Sequence, residues 1–265
     1  MSYRCTILGC GSSGGVPRIG MTWGACDPNN PKNTRLRCSA LIERKGSGGR
    51  TSVLIDTSPD FRAQILSARL TALDGVLFTH DHADHTHGID DLRMVAFSMK
   101  RRVDVYYDAE TGKSLKSRFA YCFETPRGSG YMPILNGHEI DGEAPVEIPG
   151  GGGVVAARPV PQWHGSIQSL GYRISNLAYS PDISDIPQSS IPLLEGLDVW
   201  IVDALRYSGH ESHFSVRQAL HWIERLKPKR AILTHMTSEL DYETLKRELP
   251  GGVEPAYDGM MLDFT

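Results

Sequence analysis

The chain opens with short β-rich runs set between turn residues. "RCTIL" over 4–8, "SALIE" over 39–43 and "SVLID" over 52–56 are separated by turn signals, and "GSGG" at 46–49 closes the last two into a hairpin. Residues 58–70 then change period. Phe61, Ile65 and Leu66 share one helical face, with Ser58 or Asp60 able to cap it, and "DGVLFTH" at 74–80 returns to a buried strand. Helical spacing follows in "DDLRMVAFSMK", a strand in "VDVYYD", and a surface-facing helix over 109–123. A glycine turn at 150–153 feeds a strand reaching His164, and "LGYRIS", "LAYSPD" and "LDVWIVDAL" read as successive strands that end on polar residues. The C-terminal part predicts a helix over 215–226, the strand "RAILTHM" and a last helix over 241–249.

This order, with no internal repeat and no linker, predicts one domain over residues 1–265 of α/β class. Lys and Arg number 28 against 31 Asp and Glu, and the net charge of −3 gives no basic footprint for duplex nucleic acid. The basic clusters "TRLRC" and "KRR" read as solvated faces. Cys5, Cys10, Cys26, Cys38 and Cys122 are odd in number and scattered, which points away from a disulfide framework and towards a reducing cytoplasm. The N-terminus lacks an adequate apolar signal core and no segment supplies the ~18 unbroken apolar residues of a bilayer span. A soluble, untargeted protein with no membrane partner is expected, and a homodimer is open.

The chemistry concentrates in "FTHDHADHTHGID", residues 78–90. His80, His82, Asp84 and His85 form an H-x-H-x-D-H array directly after an apolar strand. Residues two apart on an extended segment face the same way, so His80 and His82 can share one ion. Asp84 and His85 lie in the turn beyond and can serve a second. Burying so many titratable groups is costly unless they are paired or metal-bound, and nitrogen and oxygen donors fit zinc, manganese or iron. His87 adds nothing to the array and reads as structural.

An array of this spacing closely resembles that of the metallo-β-lactamase superfamily of metallohydrolases. The resemblance implies an αββα sandwich of two mixed β-sheets flanked by helices, and two divalent metal ions, zinc or manganese. It also implies three further ligands, matched by His164 in "PQWHG", Asp182 in "LAYSPD" and His235 in "ILTHM". By the family pattern His80, His82 and His164 hold the first metal, Asp84, His85 and His235 the second, and Asp182 bridges them, with a bridging water made nucleophilic between the ions. Asp56, ending "SVLID", matches a position that supports the ligands from behind; it equally suits a strand-end turn.

"GCGSSG" at 9–14 satisfies G-x-G-x-x-G, but the Gly- and Pro-rich continuation provides no helix, so a dinucleotide site is not expected. Its glycines shape a loop in which Ser12 or Ser13 could touch substrate. In "ESHFSVRQAL", Ser212 or Ser215 can cap the next helix, leaving His210 and His213 near the strand ends. Superfamily phosphodiesterases carry an extra histidine here that protonates the leaving alkoxide. His213 is the better match and His210 the reserve. These features are similar to the phosphoribosyl cyclic phosphodiesterase branch. That branch often builds a structural zinc site from three closely spaced cysteines; only Cys26 stands near the place, with Cys38 well downstream, so that zinc is expected to be missing.

The resulting expectation is a dinuclear metal-dependent phosphodiesterase acting on a small cyclic or nucleotide-like phosphodiester. Transfer-RNA 3′-end processing would call for a protruding basic arm, which is not seen. Thioester or lactone hydrolysis would use the same metals, and a non-catalytic accessory role would usually lose ligands; none is lost.

Overall fold

The computed structural model describes residues 2–142 and 144–265. Six strands form the first sheet in chain order: β1 (Ser2–Gly9), β2 (Ser39–Gly46), β3 (Gly49–Ile55), β4 (Gly75–Leu77), β5 (Val103–Tyr107) and β6 (Leu135–Glu139). The next seven form the second: β7 (Val146–Ile148), β8 (Val155–His164), β9 (Ile167–Ile174), β10 (Leu177–Ser180), β11 (Val199–Asp203), β12 (Arg230–Thr234) and β13 (Val253–Pro255). The chain then returns, and β14 (Met261–Phe264) pairs with β1, closing the first sheet in the order β14-β1-β2-β3-β4-β5-β6. Strands β3 to β6 run parallel, as do β10 to β13, while the hairpins β1–β2, β2–β3, β7–β8 and β8–β9 are antiparallel.

Alternation along the strands explains the layering. Val53 and Ile55 of β3 enter the core between the sheets with Ile7, Ile42, Tyr172, Tyr179 and Ile201. Leu54, between them, faces the other way and packs with Leu41 and Val76 against Phe61 and Ile65 of α1 (Phe61–Ser67), in a second core beneath the helices. The centre of this sheet, residues 53–55 and 75–77, is covered on both faces and carries no polar stripe, whereas the edge strand β14 exposes Met261 and Asp263. On the second sheet, α6 (Val216–Leu226) buries Val216, Ala219, Trp222 and Leu226 at helical spacing, and Ser215 and Gln218 close a capping box at its start. The layers make the αββα sandwich of the metallo-β-lactamase fold.

Several local expectations shift. Helix α1 starts at Phe61, and neither candidate cap closes it: Asp60 takes the N-cap position without a side-chain cap bond and instead pairs with Arg37 at 3.0 Å. The helix expected over 109–123 breaks at Phe119 into α4 (Ala109–Arg118) and α5 (Ala120–Phe123). Strands β6, β7, β13 and β14, short or at sheet edges, were not apparent from apolar alternation. The excursion from Cys10 to Thr34 contains no α-helix, as the reading of "GCGSSG" requires. It is fastened by Arg35, a fully buried arginine whose guanidinium donates to Thr237 O at 3.0 Å and Leu240 O at 2.6 Å and lies 3.8 Å from Cys26 Sγ.

Candidate metal centre

The parallel strands of both sheets point their carboxyl ends at one cleft, which is where open sheets place their sites. β3 delivers Asp56, β4 leads into Thr79 and His80, β8 ends on His164, β10 leads to Asp182, β11 ends on Asp203 and β12 leads to His235. His80 and His82 lie beyond β4, and His82 is the N-cap of α2 (Ala83–Thr86). Asp84 and His85 therefore stand on the first turn of a short helix rather than in a simple turn.

The expected ligands come together as two groups. His80, His82, His164 and Asp182 place ligand atoms within 4.8 Å of one another, and so do Asp84, His85 and His235. Asp182 lies between them. Its Oδ2 is 3.6 Å from His164 Nε2 and 3.9 Å from His80 Nε2, while its Oδ1 is 2.9 Å from His85 Nε2 and 3.4 Å from His235 Nε2. Asp84 Oδ2 is 3.6 Å from both His85 Nε2 and His235 Nε2.

The groups behind the ligands fix their rings. Asp56, fully buried, accepts hydrogen bonds from Thr79 N and Thr79 Oγ1, both at 2.8 Å, and sits 2.7 Å from His85 Nδ1, which turns Nε2 of that ring into the cleft. Ser212 O does the same for His164, at 2.6 Å from Nδ1. Asp56 and His235 both have left-handed backbone, with φ of 63° and 57°. Such residues cost about 1–3 kcal/mol each and persist where surrounding contacts over-determine them.

A cation fits this arrangement. His80 Nε2, His85 Nε2, His235 Nε2 and Asp182 Oδ1 are all buried without an aligned hydrogen-bond partner among the described residues, although such groups are normally satisfied. Burial disfavours charge on His80, whose proton affinity falls well below the usual range, and on His164, lowered to about 4. Burial also works against Asp182 and His85, but neighbouring charges win: His235 and His85 hold Asp182 well below the usual carboxylate range, and Asp182, Asp56 and Asp84 hold His85 well above the usual histidine range. Neutral His80 and His164 beside an ionised Asp182 are donor states that a divalent ion requires, whereas His85 would release its proton to an incoming ion.

His213 is nearly buried, with its ring 4.6 Å from those of His164 and His235. Its Nδ1 is 3.9 Å from Asp182, so it also completes a possible ligand group with Asp182 and His235. That nitrogen is engaged elsewhere, 2.7 Å from Asp203 Oδ2. Asp203, fully buried, was missed in the sequence although it ends an apolar strand just as Asp56 does. Ser215, not Ser212, caps α6. His210 is exposed, its ring 5.2 Å from His213, and its Nδ1 accepts from Ser212 N at 3.2 Å. Ser12 N donates to Met236 O next to His235, Ser13 is exposed at the loop, and His87 is exposed against Phe119.

Cavities flank the cluster. One of about 570 Å³ is lined by His80, Asp81 and α4; another of about 810 Å³ is lined by His82, His164 and the 206–212 loop. No helix among the described residues is long and apolar enough to cross a membrane.

A solved structure described as a new diphosphatase from the PhnP family is 36% identical, with a TM-score of 0.89 and coverage of 100% of this chain and 98% of that one. Zinc-bound PqqB from Methylobacterium extorquens is 18% identical, with a TM-score of 0.74 over 98% of this chain and 100% of that one. A curated relative, an octanoyltransferase of Porphyromonas gingivalis, is 34% identical over 260 residues, which are 97% of this chain but 51% of that protein, so the chain spans about half the relative's length. The family model of the beta-lactamase superfamily domain matches residues 51–236, the segment that carries every donor of the two groups. The strand-end cleft, its paired donor groups and this match make the chain a member of the beta-lactamase superfamily, with a metallohydrolase fold.

Proposed function

We propose that the chain is a two-metal phosphodiesterase acting on a small phosphodiester. The observation that carries the reading is the single carboxylate Asp182 between two donor groups, with the Asp203–His213 pair beside it. Two divalent cations, zinc or manganese, would supply a nucleophile at neutral pH and an electrophile for the phosphoryl oxygens. The protein does the rest. Asp56 and Ser212 O hold His85 and His164 in the tautomers that leave Nε2 for the ions. Asp203 holds Nδ1–H of His213 and leaves Nε2 to give a proton to the departing oxygen. Nδ1–H stays with Asp203, and burial lowers the proton affinity of His213, so a second proton taken up on Nε2 is readily released to the departing oxygen. His210, which lines the cavity beside His164, stands as reserve donor, with Ser12 or Ser13 as a substrate contact. The 36% identity to a diphosphatase supports phosphorus–oxygen cleavage.

A second reading, acyl thioester hydrolysis, is favoured by the octanoyltransferase relative, half of whose length has no counterpart here. The fold shared with human transfer-RNA 3′-processing nuclease, at 16% identity, extends to architecture alone. Zinc- or manganese-loaded protein assayed with bis-p-nitrophenyl phosphate, an octanoyl thioester and a lactone decides between them. Turnover confined to the thioester would remove the phosphodiesterase reading.

A further inference from the structure

The two histidines of the first donor group that share one short segment are held differently. His80 is buried, and its Nδ1 lies 3.0 Å from Thr79 Oγ1, which Asp56 holds in turn. His85, His164 and His213 each have an oxygen of Asp56, Ser212 or Asp203 behind the ring. His82 is exposed, and among the described residues its ring has one hydrogen-bonding partner, His164 Nε2 at 3.2 Å, a member of the same donor group. With no oxygen behind it, the direction of His82 is left to its backbone.

That backbone lies between elements, since β4 ends at Leu77 and α2 begins at Ala83. Asp81, between the two histidines, turns its side chain the other way and meets the last turns of α4. Arg118, at the end of α4, closes on it with both arms of its fork: Nη1 donates to Asp81 O at 2.7 Å and Nη2 to Asp81 Oδ2 at 3.0 Å. Ser114, one helical turn earlier, donates to the same carboxylate oxygen at 2.6 Å. On the other side of His82, Thr86 Oγ1 donates to His82 O at 2.8 Å. The peptide units before and after His82 are therefore each fastened by their carbonyl, which fixes the path of its Cα–Cβ bond. As an ion pair the contact is half-exposed and worth little; its value lies in the two-point geometry that only a guanidinium supplies.

We infer that Arg118 is a positioning residue of the metal centre: by tying the carbonyl and the carboxylate of Asp81 to α4, it aims the exposed His82 at the first donor group. The inference rests on the metal centre of the proposed function and is independent of the substrate. Arg118 also lines the α4 cavity, so direct contact with substrate is the competing role. The two roles separate in measurement. Positioning shows in the metal affinity of substrate-free protein, whereas contact shows in KM alone.

The test titrates zinc into metal-free protein against a competing chelator and measures KM for bis-p-nitrophenyl phosphate on the loaded protein. Arg118→Gln should weaken one zinc-binding step on the order of 10–100-fold, the scale of a lost partner behind a ligand, and leave the other step nearly unchanged. Arg118→Lys, which reaches one acceptor instead of two, should recover part of the loss. Asp81→Ala should weaken the same step, and the double variant should fall short of the product of the two single losses, because both act on one linkage. Denaturant midpoints of metal-free Arg118→Gln and the metal-free parent should nearly coincide, as expected of a half-exposed pair. Unchanged zinc affinity with a raised KM would make Arg118 a substrate contact and overturn the inference. Equal weakening of both steps, or a clearly lowered midpoint in the metal-free variant, would overturn it in favour of a general structural role. Failure of the parent protein to bind zinc would instead remove the metal centre on which the inference rests.

Discussion

The near wall of the cleft is written in one stretch: Thr79, His80, His82, Asp84 and His85 follow each other within seven residues. The far wall takes Asp182, Asp203, His213 and His235 from the ends of three strands and a loop spread over some fifty residues. The near wall needs only a strand, a bend and the first turn of α2, so local geometry almost completes it. The far wall exists only when the second sheet has closed and its parallel strands share a level. The same chemistry thus rests on local order on one side and on long-range order on the other.

Removing Asp182 should break both walls at once, because each of its oxygens faces a different donor group. Asp182→Ala is expected to lose metal and activity together, by at least the ~10²–10⁴-fold typical of a lost general acid, with the circular dichroism of the folded protein kept. Asp84→Ala should likewise abolish activity, but with about half the bound metal retained. Elemental analysis beside phosphodiester turnover tells the two apart, and full metal retention in Asp182→Ala would count against its central place.

His213 sharpens the far wall alone. His213→Ala is expected to cost ~10²–10⁴-fold on an alkyl phosphodiester and far less on an aryl ester, whose phenolate leaves without a proton. Metal content should not change. Equal losses on the two esters would return the proton to His210 or to solvent.

The near wall was legible because its residues are contiguous and their spacing implies shared direction. Asp56 was legible for a weaker reason, its place at the end of an apolar run. Asp203 ends "VWIVD" in the same way, yet nothing local says which strand-end carboxylate will meet His213 ten residues later; the parallel pairing of β10 with β11 and β12 decides that. The edge strands β7, β13 and β14 are too short for alternation to show, and β14 is recruited by β1 from the far end of the chain.

Smaller effects should separate the supporting carboxylates. Asp56→Asn and Asp203→Asn are each expected to cost 10–100-fold. In the first the loss should appear in metal affinity, because Asp56 aims a ligand. In the second it should appear in kcat with metal affinity kept, because Asp203 aims the proton donor. Metal titration with a competing chelator reads the difference, and a shared pattern would erase the distinction between the walls.

An effect on stability rather than turnover is expected outside the cleft. Asp258 accepts from Cys10 N at 3.0 Å and Leu36 N at 2.7 Å, and burial pushes its carboxyl up to about 6. A raised folded value means that stability is fully present below the unfolded pKa near 3.9 and is lost as the pH rises through about 6. The change is at most about 3 kcal/mol, less for the solvent contact that the carboxylate keeps. Denaturant unfolding of chelated protein at several pH values should show this slope flattened in Asp258→Asn. An unchanged slope would assign it to other groups.

The fastening of the N-terminal excursion by Arg35 has a practical consequence. A guanidinium stays charged across the pH range in which proteins are handled, and its partners, Thr237 O and Leu240 O, are carbonyl oxygens that neither ionise nor oxidise. Chelators, reductants and mild acid, which strip or protonate histidine and thiolate ligands, therefore have no purchase on this clasp. The segment following His235 stays pinned while the cleft is emptied, so a demetallated sample can be reloaded with a chosen ion without first rebuilding the loop at its edge.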